Sequence, residues 1–91
     1  MSSSDLGEVV PAAHFGRVEI LFVHVRKHVW GTFDPESGEV EISEAETVSN
    51  DDLIDFAAVQ TLLHGGTVFA VEEENMPDGE KEVAAVFRFQ G

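Results

Sequence analysis

Residues 49–71 constrain the fold of this chain most, because they combine a capped helix, a glycine stop and an apolar strand. Ser49 or Asn50 is suited to cap the helix, and Asp51 and Asp52 suit the positive end of its dipole. The apolar helix residues form a very wide surface, which predicts a helix mostly covered by a sheet and its neighbours. Gly65 suits the C′ position after the helix, and residues 67–71 predict a buried strand. The apolar residues of the helix are Leu53, Ile54, Phe56, Ala57, Ala58, Val59, Leu62 and Leu63.

Two strands are predicted ahead of this unit. Residues 18–25 are rich in β-branched and aromatic side chains and alternate imperfectly, which is typical of a strand buried on both faces inside a sheet. Residues 26–28 form a tight polar connection. Residues 29–33 then predict a second strand, antiparallel to the first.

Turn residues separate the remaining strands. Residues 34–38, Asp-Pro-Glu-Ser-Gly, predict a turn, because proline presets φ and glycine accepts a positive φ. Residues 39–43 alternate strictly and indicate an edge strand with one wet face. An exposed acidic loop is predicted over residues 72–81, and a final strand over 82–89.

The start of the chain predicts little regular structure. Residues 1–7 are expected to be disordered, and residues 8–15 form a short helix in which Pro11 is tolerated only within the first turn. Gly16 ends that helix. The predicted architecture is one domain over residues 8–91, of class α/β or α+β, with a small mixed β-sheet of about five strands, one main helix and a short N-terminal helix.

The charge of the chain excludes several partners. Its 91 residues carry 18 acids against 5 bases, a formal net charge of -13. Nucleic-acid binding through phosphate contacts and binding to an anionic membrane both need clustered Lys and Arg, so neither is expected. The acidity favours solubility or a salt-rich cytoplasm, and the alternative is docking to a basic partner.

The sequence carries no sign of an oxidising compartment or a membrane. It has no cysteine, which excludes disulfides, thiolate catalysis and cysteine-based metal sites. No apolar run approaches the roughly 20 residues of a membrane span. Because residues 1–5 lack the basic and apolar regions of a signal peptide, a cytoplasmic location is expected.

No constellation of residues predicts catalysis or a cofactor. His24 and His28 flank a predicted turn, and His14 and His64 sit at predicted helix ends, so no three ligands converge as a metal site requires. The acid pairs are expected on a solvated surface. The segment around Gly66 follows a helix instead of opening one, so it does not suit a phosphate. A small enzyme such as a hydrolase is therefore the least favoured function.

Several segments together resemble the C-terminal (third) domain of the bacterial branch of the archaeo-eukaryotic peptide chain release factor superfamily. They are residues 16–23 (Gly-Arg-Val-Glu-Ile-Leu-Phe-Val), residues 30–34 (Trp-Gly-Thr-Phe-Asp), residues 51–71, and Met76-Pro77 followed by residues 83–89 (Val-Ala-Ala-Val-Phe-Arg-Phe). The resemblance covers about residues 8–90. It implies a fold similar to that of the kink-turn-binding ribosomal proteins, with more helix than this chain predicts.

The resemblance implies a role in protein contacts. Peptidyl-tRNA hydrolysis belongs to other domains of the superfamily through a Gly-Gly-Gln motif, whereas this chain has only Gly65-Gly66-Thr67 in another context. In cellular release factors the third domain contacts partner proteins, notably a translational GTPase. The implied function is a non-catalytic interaction domain linked to translation termination or ribosome rescue, without direct RNA binding.

Three surfaces are candidates for such a partner, which the resemblance implies is ribosome-associated or a translational GTPase. They are the predicted edge strand, the start of the main helix and the acidic loop. The alternative is a free-standing small protein that forms a homodimer through the edge strand, since small domains gain stability by association. The candidate partner-binding residues are Glu39, Glu41, Asp55, Glu72, Glu73 and Glu74.

Overall fold

The computed structural model describes residues 2–45, 50–76 and 82–88, which form two α-helices, seven strands and one 3-10 turn. The helices are α1 (Leu6–His14) and α2 (Leu53–Leu63). The strands are β1 (Ser2–Ser3), β2 (Val18–His24), β3 (Trp30–Asp34), β4 (Glu39–Ser43), β5 (Asp51–Asp52), β6 (Thr67–Val71) and β7 (Val83–Phe87), and the 3-10 turn is Glu73–Asn75. The mixed α/β class and the two predicted helices are confirmed. No helix in the described ranges is long and apolar enough to cross a membrane.

The first sheet has four strands in the order β1-β7-β2-β6. Strand β2 pairs in parallel with β6 and antiparallel with β7, so the sheet is mixed and β2 lies inside it, as predicted. Both helices pack on one face of this sheet, α1 against β2 and β7 and α2 against β2 and β6. Each helix precedes one strand of the parallel pair, which places the two helices side by side.

The second sheet has three strands in the order β4-β3-β5 and packs against both helices. Helix α1 contacts β4, and α2 contacts β3 and β5. Phe33 and Val40 of this sheet pack against the same apolar core as the first sheet. The best-buried side chains of this core are Val9, Val10, Val18, Leu21, Leu53 and Val83.

Both helices end in the same way. In α2 the N–H of Gly65 donates to the Leu62 carbonyl at 3.1 Å, and the N–H of Gly66 donates to the Thr61 carbonyl at 2.8 Å. Gly65 has a φ of 82°, the left-handed conformation of a Schellman cap. Gly16 ends α1 with the same pair of bonds and a φ of 74°. Both predicted glycine stops are confirmed.

The start of the chain differs from the prediction of a disordered segment over residues 1–7. Ser2–Ser3 pair with β7, and helix α1 already begins at Leu6 because Asp5 caps it, accepting the Gly7 N–H at 3.0 Å. Met1 lies outside the described residues. This earlier start moves Pro11 into the second turn of α1, beyond the first turn where it was expected. The burial of Val9, Val10 and Ala13 offsets the hydrogen bond that a proline cannot donate.

The prediction of one sheet of about five strands is wrong. Strand β3 does not pair with β2, because β6 and β7 already occupy both hydrogen-bonding edges of β2. The connection 25–29 instead carries the chain into the second sheet, where β3 pairs with β4 and β5. Polar residues in the connection fitted either a hairpin or a crossing, so local sequence did not separate the two.

Two further expectations around α2 need correction. Its N-cap is Asp52, which accepts from the backbone N–H groups of Ile54 and Asp55, whereas Asn50 donates to the Ala45 carbonyl instead. Ser49, the other predicted cap, lies outside the described residues. The following strand, β6, is an edge strand with exposed side chains and not a buried one, since β2 pairs with only one side of it.

The turn and the edge position of the strand after β3 are confirmed, whereas its predicted single wet face is not, because Ile42 on the apolar face is 63% exposed. The N–H of Gly38, which has a φ of 77°, donates to the Asp34 carbonyl at 2.7 Å. The Asp34 side chain accepts the Glu36 N–H at 2.9 Å, which fixes the start of the turn. Strand β4 then lies at the edge of the second sheet.

Candidate functional site

Helix α2 is fixed at both ends and along one side, so its outward side chains are held in place. The Asp52 carboxylate accepts the Ile54 N–H at 3.0 Å, and the Leu53 N–H donates to the Val29 carbonyl at 2.7 Å. The inward side chains are Leu53, Ile54, Ala57 and Thr61. The Thr61 hydroxyl is buried and donates to the Ala57 carbonyl at 2.8 Å, which satisfies its polar group inside the helix.

The outward side of α2 carries an exposed stripe, which we define as Asp55, Val59, Leu62 and Leu63 and which is apolar apart from Asp55. The spacing i, i+4 and i+7 places the first three on one helix face. Val59 is 45% exposed, Leu62 59% and Leu63 72%. The sequence predicted that these apolar residues are covered, and the structure corrects this for the second half of the helix. Among the predicted partner-binding residues, Asp55 lies at the start of this stripe.

The predicted acids Glu39 and Glu41 lie on the exposed edge strand β4. Glu39 is opposite Asp34 on β3, and Glu41 is opposite Thr32. Like charges directly opposite each other do not stabilise strand pairing, so Glu39 contributes to the surface potential instead. Ile42, beside them on the strand, is also exposed. This edge is a second surface on which a partner or a second copy has room to pair.

The third predicted surface follows β6. Glu72 forms an ion pair with Arg26, with Nε 3.1 Å from Oε2, and both side chains are largely open to water. Such a surface ion pair stabilises the fold by about 0–1 kcal/mol. Because Arg26 already pairs with Glu72, this carboxylate attracts a basic partner less strongly. Glu73 begins the 3-10 turn and Glu74 is exposed within it, whereas residues 77–81 of the predicted acidic loop lie outside the described residues. The six candidate acids thus lie on three separate elements.

His28 and Asp52 form a polar contact beside the start of α2 that the sequence did not predict. The His28 Nδ1 lies 2.8 Å from Asp52 Oδ2, and the other carboxylate oxygen of Asp52 caps the helix. The His28 ring stacks on Trp30 with a centroid distance of 5.8 Å. One carboxylate therefore links the connection after β2 to the helix that carries the stripe.

His14 lies in an aromatic cluster between α1, α2 and the second sheet. Its ring centroid is 5.2 Å from that of Phe33 and 6.4 Å from that of Phe56. Its Nδ1 is buried and has no hydrogen-bond partner among residues 2–45, 50–76 and 82–88. The backbone carbonyl of His14 accepts from His64 Nε2 at 3.0 Å, which ties the C-terminal ends of the two helices together. The remaining histidine, His24, is buried at the end of β2, where its Nδ1 accepts the Arg26 N–H.

Replacing His14 with phenylalanine is expected to raise the free energy of unfolding by about 1 kcal/mol, because it removes a buried polar atom to which no described residue hydrogen-bonds. Urea denaturation of the variant and the parent measures the difference. His64→Phe is the matched control, since it removes the hydrogen bond to the His14 carbonyl and should lower stability. A lower denaturation midpoint for His14→Phe would show that Nδ1 has a role in holding the cluster.

The structure brings together no metal site in the parts of the chain it describes, where no group of three His, Asp or Glu side chains converges. The fold and the stripe define a small α/β domain with an exposed apolar helix face. No family model matches the chain, and no curated protein matches it. The resemblance to release-factor domains therefore stays a prediction from the residues alone.

Proposed function

We propose that this chain is a non-catalytic protein-interaction domain and that its partner contacts the exposed stripe of α2. The observation that carries this proposal is the exposure of Val59, Leu62 and Leu63 on one face of a helix whose two ends are capped. An amphipathic helix with anchors at i, i+3 and i+4 is a common element of groove recognition. The rigid caps reduce the conformational entropy lost on binding.

The stripe and the charge of the chain together specify the partner's chemistry. Asp55 begins the stripe, Asp51 is exposed just before the helix, and the whole chain carries 18 acids against 5 bases. A complementary partner has an apolar groove for the leucines and basic residues where the groove meets the start of the helix. Because charge steers association, the on-rate should fall as salt is added.

The release-factor resemblance supports a partner in translation. One of the resembling segments, residues 51–71, contains the whole of α2. By that resemblance the partner is a translational GTPase or a ribosome-associated protein, and we propose a cytoplasmic setting. A role in translation termination or ribosome rescue through such a contact needs no catalytic residue in this chain.

Co-sedimentation with purified bacterial ribosomes, with and without a purified translational GTPase, tests the proposal. The double variant Leu62→Ser with Leu63→Ser should bind at least about tenfold more weakly than the parent, because it removes two apolar anchors. Its stability should change little, since both side chains are exposed. Ile42→Ser, which removes an equally exposed apolar side chain from β4, is the matched control and should bind like the parent.

Charge reversal of Glu72, Glu73 and Glu74 to lysine locates the contact further. If this variant loses binding while the α2 double variant keeps it, the contact lies beside the 3-10 turn and the stripe is not the site. If the parent does not sediment with ribosomes, either alone or in the presence of the GTPase, the assignment to translation is wrong.

The edge strand β4 supports a second candidate function, a homodimer joined strand to strand. Strand β4 lies at the edge of its sheet and exposes Ile42. An unprotected edge of this kind is a template for pairing with another chain. Light scattering that shows a monomer at high protein concentration would eliminate this candidate, whereas a dimer abolished by Ile42→Lys would establish it.

A further inference from the structure

The free edge of β6 presents backbone groups that have no strand beside them in the described part of the chain. Strand β6 pairs in parallel with β2 and lies at the end of its sheet. The Val25 N–H, just after β2, donates to the Val71 carbonyl at 3.0 Å, so Val71 directs its backbone groups toward β2. Successive residues of a strand direct these groups to opposite edges. Val68 and Ala70 therefore each direct an N–H and a C=O away from β2.

The residues of β6 do not protect this edge against pairing. Thr67–Val71 contains no charged residue and no proline, and Phe69 is 47% exposed. Charged side chains and prolines are common means by which proteins keep an edge strand from pairing with another chain. The β-branched and aromatic residues of β6 also fit an extended, half-buried strand. The free edge is therefore suited to accept a further strand.

Helix α2 lies over the sheet beside this edge. The two helices contact each other, and α1 packs against β7 and β2 whereas α2 packs against β2 and β6. The side of α2 toward α1 carries Phe56, whose ring stacks on His14. Round a helix, Ala58, Leu62 and Asp55 are rotated from Phe56 by about 200°, 240° and 260°, so these three share the side turned away from α1. We call these three residues together with the free edge of β6 the β6 seam.

Asp55 gives the β6 seam a local negative charge. It is exposed, and no described residue forms an ion pair with it. Residues 51–71, which contain the whole of α2 and β6, include no lysine or arginine. A second copy paired through β6 would therefore bring another Asp55 and no lysine or arginine from these elements. Charge complementarity favours a strand from a different protein, with a basic residue beside Asp55.

We propose that the partner of the α2 stripe adds an extended strand to the free edge of β6, with apolar side chains against Ala58 and Leu62 and a Lys or Arg beside Asp55. The inference deepens the contact proposed for α2 and rests on it, since the added strand forms one wall of the groove that receives the stripe. The strand would lie about 4.8 Å beyond β6, and every second side chain would point to the face of the sheet that α2 covers. In this mode of recognition, main-chain hydrogen bonds provide affinity and alternate side chains provide specificity.

Fluorescence anisotropy with a defined peptide tests the added strand without ribosomes or a GTPase. The probe is the labelled peptide Lys-Thr-Val-Thr-Val-Thr-Lys, which places valine and lysine on one face of a strand in either chain direction. The control is the same peptide N-methylated at its valine and threonine amides, which keeps the charges and removes the donors. The unmodified peptide should saturate the full chain at one per chain, bind at least about tenfold more tightly than the control, and weaken as salt is added.

Matched variants place the peptide on β6. Ala70→Pro removes the outward N–H and leaves the bonds to β2, because proline is tolerated on an edge strand where the N–H faces solvent. It should weaken peptide binding about fivefold or more, whereas Ala70→Val keeps the N–H and should bind like the parent. Asp55→Asn should weaken binding about threefold and reduce its salt dependence. Glu36→Gln, which removes an exposed carboxylate from the turn after β3, should change neither.

The NMR spectrum of the unaltered chain provides a readout that requires no variant. Titration with the unmodified peptide should shift the amide signals of Val68 and Ala70 and slow their exchange with solvent, because both N–H groups become hydrogen-bonded. Amide shifts confined to Val59 and Leu63 would instead place the peptide on the outward side of α2 and overturn the added strand.

Three further results would overturn the proposal. Equal binding of the N-methylated peptide would show that the contact is charge alone. The absence of saturable binding up to about 1 mM would show that β6 does not accept a strand. Light scattering that shows a dimer abolished by Ala70→Pro would make a second copy the occupant of the edge.

The peptide experiment and ribosome co-sedimentation fail separately. Co-sedimentation without peptide binding would leave the stripe as the contact and remove the added strand. Peptide binding at Val68 and Ala70 without co-sedimentation would establish the strand-accepting edge and show that the partner lies outside translation.

Discussion

Replacing Gly31 with alanine is expected to lower the free energy of unfolding by about 3 kcal/mol. Gly31 lies in β3 with Ile42 opposite it on β4. A Cβ atom at this position would overlap the backbone carbonyl oxygen of Glu41 and lie 2.8 Å from Cδ1 of Leu53. The carbonyl belongs to a paired strand and Leu53 is fully buried, so neither has room to move. The variant forces β4 away from β3 or displaces the start of α2.

Thermal and urea denaturation measure this effect. Because a domain of this size has a stability of about 5 kcal/mol, the expected loss should lower the melting temperature by more than about 10 °C. Gly7→Ala is the matched control. The added Cβ there would lie 3.4 Å from Asp5 Oδ1, an ordinary contact, and alanine favours a helix, so stability should rise by about 0.5 kcal/mol. Equal stability of Gly31→Ala and the parent would contradict the close approach of β3 and β4.

Replacing Asp52 with alanine is expected to cost about 2 kcal/mol. One carboxylate oxygen of Asp52 accepts the Ile54 and Asp55 N–H groups, and loss of such an N-cap typically costs about 1 kcal/mol. The other oxygen accepts from His28, and loss of that contact adds up to about 1 kcal/mol. The α2 stripe starts at the same turn, so the variant should also weaken partner binding.

Two control variants separate the contributions of Asp52. Asp52→Asn keeps a cap acceptor and removes the charge, so it should cost less than half as much as the alanine variant in urea denaturation. Asp51→Ala removes the neighbouring exposed carboxylate and should change stability by no more than about 0.5 kcal/mol. If Asp51→Ala is the more destabilising of the two alanine variants, the cap of α2 is Asp51 and not Asp52.

Local chemistry along the chain predicted most of the elements. The glycine stops at Gly16 and Gly65, the turn that ends at Gly38 and the interior position of β2 are all confirmed. Each depends on a short-range cause, such as a positive φ or a run of β-branched residues. The N-cap of α2 was misplaced by two or three residues, because four consecutive polar residues before Leu53 are all able to cap a helix.

Long-range pairing was the part that the sequence did not predict. Residues 26–28 are compatible with a hairpin, but β6 and β7 pair with β2 and displace β3 into another sheet. Similarly, the apolar composition of α2 indicated a covered helix. In the structure Leu62 and Leu63 of this helix stay exposed. The candidate site combines Asp55, which sequence reasoning identified, with three apolar residues that it assigned to the interior.

The sequence by itself determined the α/β class, the acidic net charge and the C-terminal ends of both helices, because these follow from composition and from interactions within a few residues. Only the tertiary structure decided which strands pair, that they form two sheets, and that the stripe of α2 is exposed. Exposure depends on what else packs against a side chain. That is a property of distant segments brought together by the fold, and a local pattern of residues does not contain it.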